Sequence, residues 1–214
     1  MAYIDKIAYN LNRRDEVPNQ ELAKELVESN NIEGFDEIAS YLYDKNKSVA
    51  SDCLKVLYEA GYLKPELISK YVDDYLKLLS SKNNRMVWGA MIALWNIAKI
   101  EHEKIYSSIA LILHHTETGT VITHVTGIKV LTALSEVNDT YYNHLYPILL
   151  NYIKECRPVD FGKRVEDYMS ILSDRNREDI IGIVKERYSS LNKSQSARIR
   201  KAFKSVGIDI KRLI

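Results

Sequence analysis

Three stretches of the chain align with one another at a constant spacing of 37 residues. They are SVASDCLKVLYEAG (48–61), RMVWGAMIALWNIA (85–98) and ITHVTGIKVLTALS (122–135), and FGKRVEDYMSILSD (161–174) is a weaker fourth copy. Apolar residues within each copy recur with the period of an amphipathic helix. A repeat of this length with helical periodicity indicates a solenoid, in which each copy buries its apolar face against the next one.

The aligned copies share small or apolar residues in the same columns. One column holds Cys53, Ala90 and Gly127, and another holds Leu57, Leu94 and Leu131. When helix pairs stack, the inner helix of each pair contacts its own partner and both neighbouring pairs, so a small residue is needed where backbones approach closely. The alignment therefore predicts that Cys53, Ala90 and Gly127 lie at crowded points of their repeats.

The composition favours an all-α chain. Eight Gly and four Pro in 214 residues are too few for the many turns of a β protein, and short polar turns separate twelve segments of helical periodicity. We predict an all-α fold, a short right-handed α-solenoid of antiparallel helix pairs. It would form a single domain over 1–214, with N-terminal capping helices (1–33), repeats (34–190) and a basic C-terminal capping helix and tail (191–214).

The repeat pattern resembles that of the HEAT and armadillo-like families. The second helix of a HEAT repeat typically runs D-x4-V-x3-A-x2-A-L, and the segments DKNKSVASDCLKVL and RMVWGAMIAL are similar to it. The arginine that usually follows the valine column is absent, since Ala50, Val87 and His124 occupy that position. The resemblance implies stacked helix pairs whose inner helices line a concave surface.

The segment 84–99 is apolar on two faces. Its packing face comprises Met86, Ala90, Ala93 and Ile97, and the opposite face carries Trp88, Met91 and Trp95. One buried stripe suffices to hold a helix in a two-layer array. We therefore predict a non-catalytic protein–protein interaction or scaffold module that binds a protein or peptide partner on its inner-helix face. The predicted contact residues are Arg85, Trp88, Met91, Trp95 and Lys129. In the alternative interpretation both indoles belong to the core.

The C-terminal end of the chain is basic. Residues 175–214 hold 11 Lys and Arg against 4 Asp and Glu, whereas residues 1–174 hold 19 against 25. The last predicted helix has an apolar face and four cations elsewhere, which are Arg198, Arg200, Lys201 and Lys204. These four form a candidate polyanion-binding surface, whose binding would depend strongly on salt. The other interpretation is a capping helix with a basic solvent face, because a repeat array ends in a polar surface.

The basic end and the tryptophans together permit an alternative function. The chain would then be a nucleic-acid-binding or DNA-repair protein resembling the HEAT-like alkylpurine DNA glycosylases, which use an acid beside tryptophans. Asp52, Glu166 and Asp167 are the acids that could lie near the inner face.

Motifs for catalysis, cofactors or metals are absent from the sequence. There is no glycine-rich phosphate loop, no G-x-S-x-G and no Cys or Cys/His spacing for zinc. We expect no catalytic residue, no cofactor and no metal. The N-terminus lacks the pattern of a signal peptide, and no run approaches the roughly 20 apolar residues of a membrane span. We therefore expect no membrane association and a cytoplasmic location, and the oligomeric state is left open.

Overall fold

The computed structural model describes residues 2–212, and within that range the chain forms α-helices joined by short turns and 3-10 helices, with no strand. The α-helices are α1 (Val17–Glu28), α2 (Ile32–Ser40), α3 (Lys47–Leu63), α4 (Val72–Leu78), α5 (Asn84–Ile97), α6 (His102–Ser107), α7 (Ile109–Thr118), α8 (Val121–Ser135), α9 (Asp139–Lys154), α10 (Pro158–Tyr168), α11 (Arg177–Tyr188) and α12 (Lys193–Ser205). The predicted all-α fold is confirmed. None of the helices in the described range has the length and apolar character needed to span a membrane.

The chain divides into two compact units. The first extends to Ala133 and the second begins at Leu134, so the division falls within α8. Each part of a repeat array contacts only its neighbours, so such an array can divide in this way without a change of fold. The single domain over 1–214 stays a prediction.

Helices of the first unit alternate between two layers. In one layer α1 packs on α3 and α3 packs on α5. The other layer contains α2 and α4. Helix α2 packs against α3 of the first layer, and α4 packs against α5 of the first layer and also contacts α6. From α3 to α5, one predicted repeat spacing thus comprises one helix of each layer. Residues 1–33, predicted as capping helices, contribute α1 to the layer of α3 and α5.

The second unit has the same kind of packing. Helix α10 packs on α12, and α9 packs against α10 and α11. The apolar face of α12 holds the fully buried Ile199 and Phe203 and the nearly buried Ala202. Val206 follows the last residue of α12 and is 40% exposed.

The repeat columns are buried as the alignment predicts. Fully inaccessible side chains in them include Cys53, Ala90, Leu57, Leu94 and Leu131. Burying a leucine contributes about 1.5–3 kcal/mol relative to leaving it exposed, so the buried leucines of these columns stabilise the packed helices.

Asparagine begins five of the helices. The side chains of Asn31, Asn46, Asn83, Asn138 and Asn192 accept hydrogen bonds from backbone N–H groups at the starts of α2, α3, α5, α9 and α12. Each bond satisfies a donor that has no partner inside the helix. Asp139 and Ser194 are also residue types that favour N-caps, but both lie in the first turn of their helices instead.

Some predicted helices are shorter than expected. Apolar spacing in the sequence predicts a helix over 2–12, but the structure has a 3-10 helix at Tyr3–Lys6, and Asn12 beyond it has a φ of 53°, in the left-handed region that a helix cannot include. The same periodicity predicts one helix over 102–115, which the structure breaks at Ser108 into α6 and α7.

Candidate functional site

Four aromatic rings form a continuous group where α3 packs on α5. Tyr58 and Tyr62 lie on α3, and Trp88 and Trp95 lie on α5. Ring centroids are 6.0 Å apart for Tyr58 and Trp88, 6.2 Å for Tyr58 and Tyr62, and 5.9 Å for Tyr62 and Trp95. These separations lie in the range of favourable aromatic contacts. We call these four residues the aromatic cluster.

The local sequence fixes the register of the two helices. Tyr58 and Tyr62 are four residues apart, which puts them on one face of α3, and the indoles are two turns apart on α5. The side-chain amide of Asn96 donates to the carbonyl oxygen of Tyr58 at 3.0 Å. A methyl group at Gly89 would lie 2.7 Å from Cδ2 of Leu54, so the glycine permits the close approach of the helices.

Exposure rises along the cluster from core to solvent. Tyr58 is 4% exposed, both indoles are half-buried, and Tyr62 is 48% exposed. The two tryptophans therefore retain accessible surface.

Met91, predicted as a partner contact between the indoles, is fully buried. That part of the prediction is wrong. Helix α5 is buried around most of its circumference, and only a narrow strip with Trp88 and Trp95 reaches solvent in its central turns. Met91 lies about 40° to 60° around the helix from the indoles, which is outside that strip.

One edge of the aromatic cluster carries a group of charged side chains. Lys55 Nζ lies 2.8 Å from Glu16 and 2.7 Å from Glu59, and it sits 4.9 Å from the ring centroid of Tyr58. Burial disfavours the charge of Lys55, but the hydrogen bonds to Glu16 and Glu59 outweigh it and raise the pKa of Lys55. Arg85, predicted as a partner contact, is exposed and pairs with Glu16 at 3.3 Å.

The other end of the cluster carries Lys129 of α8. Its ammonium nitrogen lies 3.9 Å from the ring centroid of Trp95. A cation placed over the face of an indole ring contributes about 0.5–2 kcal/mol of favourable interaction free energy, depending on solvent exposure. Four of the five predicted contact residues therefore lie in or beside the aromatic cluster, and these are Arg85, Trp88, Trp95 and Lys129.

Both tyrosines of the cluster are neutral phenols at physiological pH. Burial raises the pKa of Tyr58 to about 12, although the neighbouring Lys55 opposes the shift. Burial and the charge of Glu59 raise the pKa of Tyr62. The cluster thus offers flat apolar surface together with the phenolic hydrogen-bond donor of the exposed Tyr62.

Tyr62 and the acids Glu16 and Glu59 were not among the predicted site residues. The repeat alignment places Tyr58 in the column of Trp95, whereas in the structure Tyr58 contacts Trp88 and Tyr62 contacts Trp95. The spacing of two tyrosines by four residues on a helix that stacks beside the tryptophans was the available signal.

The three acids suggested for a glycosylase-like site have other contacts. Asp52 accepts a hydrogen bond from the backbone N–H of Tyr9 at 2.8 Å. Glu166 and Asp167 both pair with Lys163 in the second unit. Within residues 2–212, no group of three or more His, Cys, Asp or Glu side chains is arranged to hold a metal ion.

The four cations predicted as a polyanion surface divide into two sets. Arg198 lies 3.8 Å from Glu166 of α10. Arg200, Lys201 and Lys204 instead line a pocket beside the C-terminal end of α12. The predicted surface is therefore not one continuous row of free charges.

Comparisons with solved structures define the class of fold. A designed armadillo repeat protein in complex with the peptide (KR)4 has a TM-score of 0.63 at 12% identity, covering 86% of this chain and 85% of that one. An engineered protein from the Northeast Structural Genomics Consortium has a TM-score of 0.59 at 15% identity, covering 96% and 98%. A second designed armadillo repeat protein has a TM-score of 0.60 at 11% identity, covering 94% and 97%.

The chain has the fold of the armadillo and HEAT-like helical repeat proteins, an all-α solenoid of helix pairs. At such low identity the likeness concerns the fold alone. No family model matches the sequence, and no curated protein matches it significantly.

Proposed function

We propose that this protein is a non-catalytic interaction module that binds a protein or peptide segment on the aromatic cluster. The observation that carries the proposal is the series of four contacting rings on the helix layer formed by α1, α3 and α5. Three of these rings, those of Tyr62, Trp88 and Trp95, are partly exposed. Tyrosine and tryptophan are enriched among the residues that dominate binding energy at protein interfaces.

The composition of the site is that of an interface with an apolar centre and a polar rim. The rings supply the centre, and Arg85, Glu16 and Lys129 lie at its edges. A charged rim of this kind contributes more to orientation and association rate than to affinity. A partner segment would cover the exposed parts of Tyr62, Trp88 and Trp95.

The designed armadillo repeat protein with a bound peptide supports the proposal, since it has the same fold class. A cytoplasmic location is part of the proposal, supported by the two cysteines, which are both free.

Panning a random peptide library on the protein tests this function. Recovered peptides should quench or shift tryptophan emission on binding, because both tryptophans of the chain lie in the aromatic cluster. Tyr62→Ala should weaken the binding of these peptides about tenfold or more, as expected for a hot-spot aromatic.

Tyr43→Ala is the matched control. Tyr43 is also 48% exposed, but it lies outside the cluster, where its hydroxyl donates to Asp74 and Lys77 lies over its ring. If recovered peptides lose as much affinity with Tyr43→Ala as with Tyr62→Ala, or if their binding leaves the tryptophan emission unchanged, the aromatic cluster is not the binding site.

A further inference from the structure

A basic pocket lies within the second unit, between α12 and the segment that follows it. Its volume is ≈ 590 Å³. Three cations of α12, Arg200, Lys201 and Lys204, form one side, and residues 207–210 form the other. Pockets that hold small ligands in proteins usually measure about 300–1,000 Å³.

The chain reverses at Gly207 to form the second side of the pocket. Gly207 has a φ of +78°, which a residue with a side chain adopts only with strain. The backbone N–H of Gly207 donates to Lys204 O at 3.1 Å, and that of Ile208 donates to Phe203 O at 3.0 Å. These bonds close the helix end, and Ile210, which is 1% exposed, anchors the segment in the core.

The pocket has an excess of positive charge. The guanidinium of Arg200 donates to the hydroxyl oxygen of Tyr188 at 3.0 Å, which orients it without neutralising it. Neither Lys201 nor Lys204 forms an ion pair with any described side chain. The single acid of the lining, Asp209, is 3.3 Å from Arg212.

We propose that this pocket is a binding site for a small phosphorylated ligand. Lys201 and Lys204 are three residues apart and Arg200 and Lys204 four, so all three cations share one stretch of helix surface. A phosphate group carries up to two negative charges and several acceptor oxygens, which a guanidinium and two ammonium groups can bind together.

A small ligand fits the charges better than a long polyanion does. A nucleic acid is held by a track of cations along its backbone. Arg198, the fourth cation of the helix, does not line the pocket and has Glu166 as a neighbour, so the track is interrupted. This site is separate from the aromatic cluster and does not depend on its function.

Isothermal titration with inorganic pyrophosphate at low salt tests the proposal on the full chain. We expect saturable binding of one pyrophosphate per chain. The double variant Lys201→Gln, Lys204→Gln should weaken pyrophosphate binding at least about tenfold. The reason is that losing one charge-assisted contact typically lowers the affinity about tenfold. Arg198→Gln removes one positive charge from the same helix, as the single variant Lys204→Gln does, and should change the affinity by less than about twofold.

Circular dichroism checks that the variants keep their helices. If the double variant does not fold, the single variant Lys204→Gln replaces it in the binding measurement. Two results would overturn the proposal: no saturable binding of pyrophosphate, or an equal loss with Arg198→Gln. A mixed-sequence single-stranded oligonucleotide provides the comparison arm. If it binds more tightly than pyrophosphate and depends equally on all four cations, the surface binds polymers and the small-ligand site is wrong.

Discussion

Gly127 of α8 lies directly against Thr116 of α7. A methyl group at position 127 would come within 2.9 Å of Cβ of Thr116 and closer still to its hydroxyl oxygen. Thr116 is fully buried, and its hydroxyl donates to the carbonyl oxygen of Ile112 at 2.7 Å. Because the Thr116 side chain would have to shift to admit even a methyl group, the position strongly favours glycine. The sequence predicts crowding at Gly127, as at Cys53 and Ala90 in the other repeats. At Gly127 the crowding comes from the preceding helix, α7.

Replacing Gly127 should therefore destabilise the protein. We expect Gly127→Leu to lower the free energy of unfolding by about 1–3 kcal/mol or more through overpacking, measured by chemical denaturation. Gly182→Ala is the control, because Gly182 also lies inside a helix but an added methyl group meets nothing within 4 Å. Gly182→Ala should raise the free energy of unfolding by up to about 1 kcal/mol, because alanine is more favourable than glycine inside a helix. Equal effects of the two substitutions would contradict the packing at Gly127.

The accessibility of the indoles can be measured by acrylamide quenching of tryptophan fluorescence. Trp88 and Trp95 are both half-buried, so quenching should be intermediate between that of an interior indole and that of free tryptophan. Tyr62→Ala should increase it, since the ring of Tyr62 contacts that of Trp95. Tyr43→Ala should leave it unchanged. Quenching as slow as for a fully interior indole would place the cluster in the core.

Alkaline pH should reveal the buried phenols. Burial raises the pKa of seven tyrosines, which are Tyr43, Tyr58, Tyr62, Tyr71, Tyr75, Tyr146 and Tyr168. A phenol whose pKa is raised by folding stabilises the native state fully below its unfolded pKa of about 10, and this contribution is lost as the pH rises through the folded value. Stability should therefore fall steeply above about pH 10.

Tyr58→Phe isolates one of these phenols. Its pKa of about 12 in the folded state implies a contribution that declines by about 1.4 kcal/mol per pH unit between about pH 10 and 12. Phenylalanine does not ionise, so the variant should lose stability less steeply over that interval, measured by denaturant unfolding at several pH values. An unchanged slope would mean that Tyr58 ionises as an exposed phenol.

The two thiols should differ in reactivity. Cys53 is fully buried and Cys156 half-buried, and burial raises the pKa of both, with Arg187 opposing the shift at Cys156. We expect a thiol reagent to modify one thiol per native chain slowly and the second only after denaturation. Cys156→Ser should abolish the native reaction, and Cys53→Ser should not. A fast native reaction that survives Cys156→Ser would contradict the burial of Cys53.

The helices and the buried columns could be predicted from sequence because both depend on local periodicity. Leu57 and Leu94 are equivalent positions of a repeat, and the period alone puts them in the core. Helix starts were less predictable, since Asn138 and Asp139 are adjacent residues that can both cap.

The site could be predicted only in part. The indoles stand out because an apolar stripe opposite a packing face needs cover. The pairing of Lys55 with Glu16 depends on how α1 packs on α3, which no local pattern encodes. The cations of α12 were visible in the sequence, but their division between a pocket and Glu166 depends on the packing of α10 against α12.

Both tryptophans of the chain precede Ala133, and the unit that begins at Leu134 has none. Indole emission therefore follows the melting of the first unit alone, while helical ellipticity follows both. Melting curves from the two signals that do not superimpose would show that the units unfold in separate transitions. A single sample, without labels or truncation, therefore tests whether the two units melt separately.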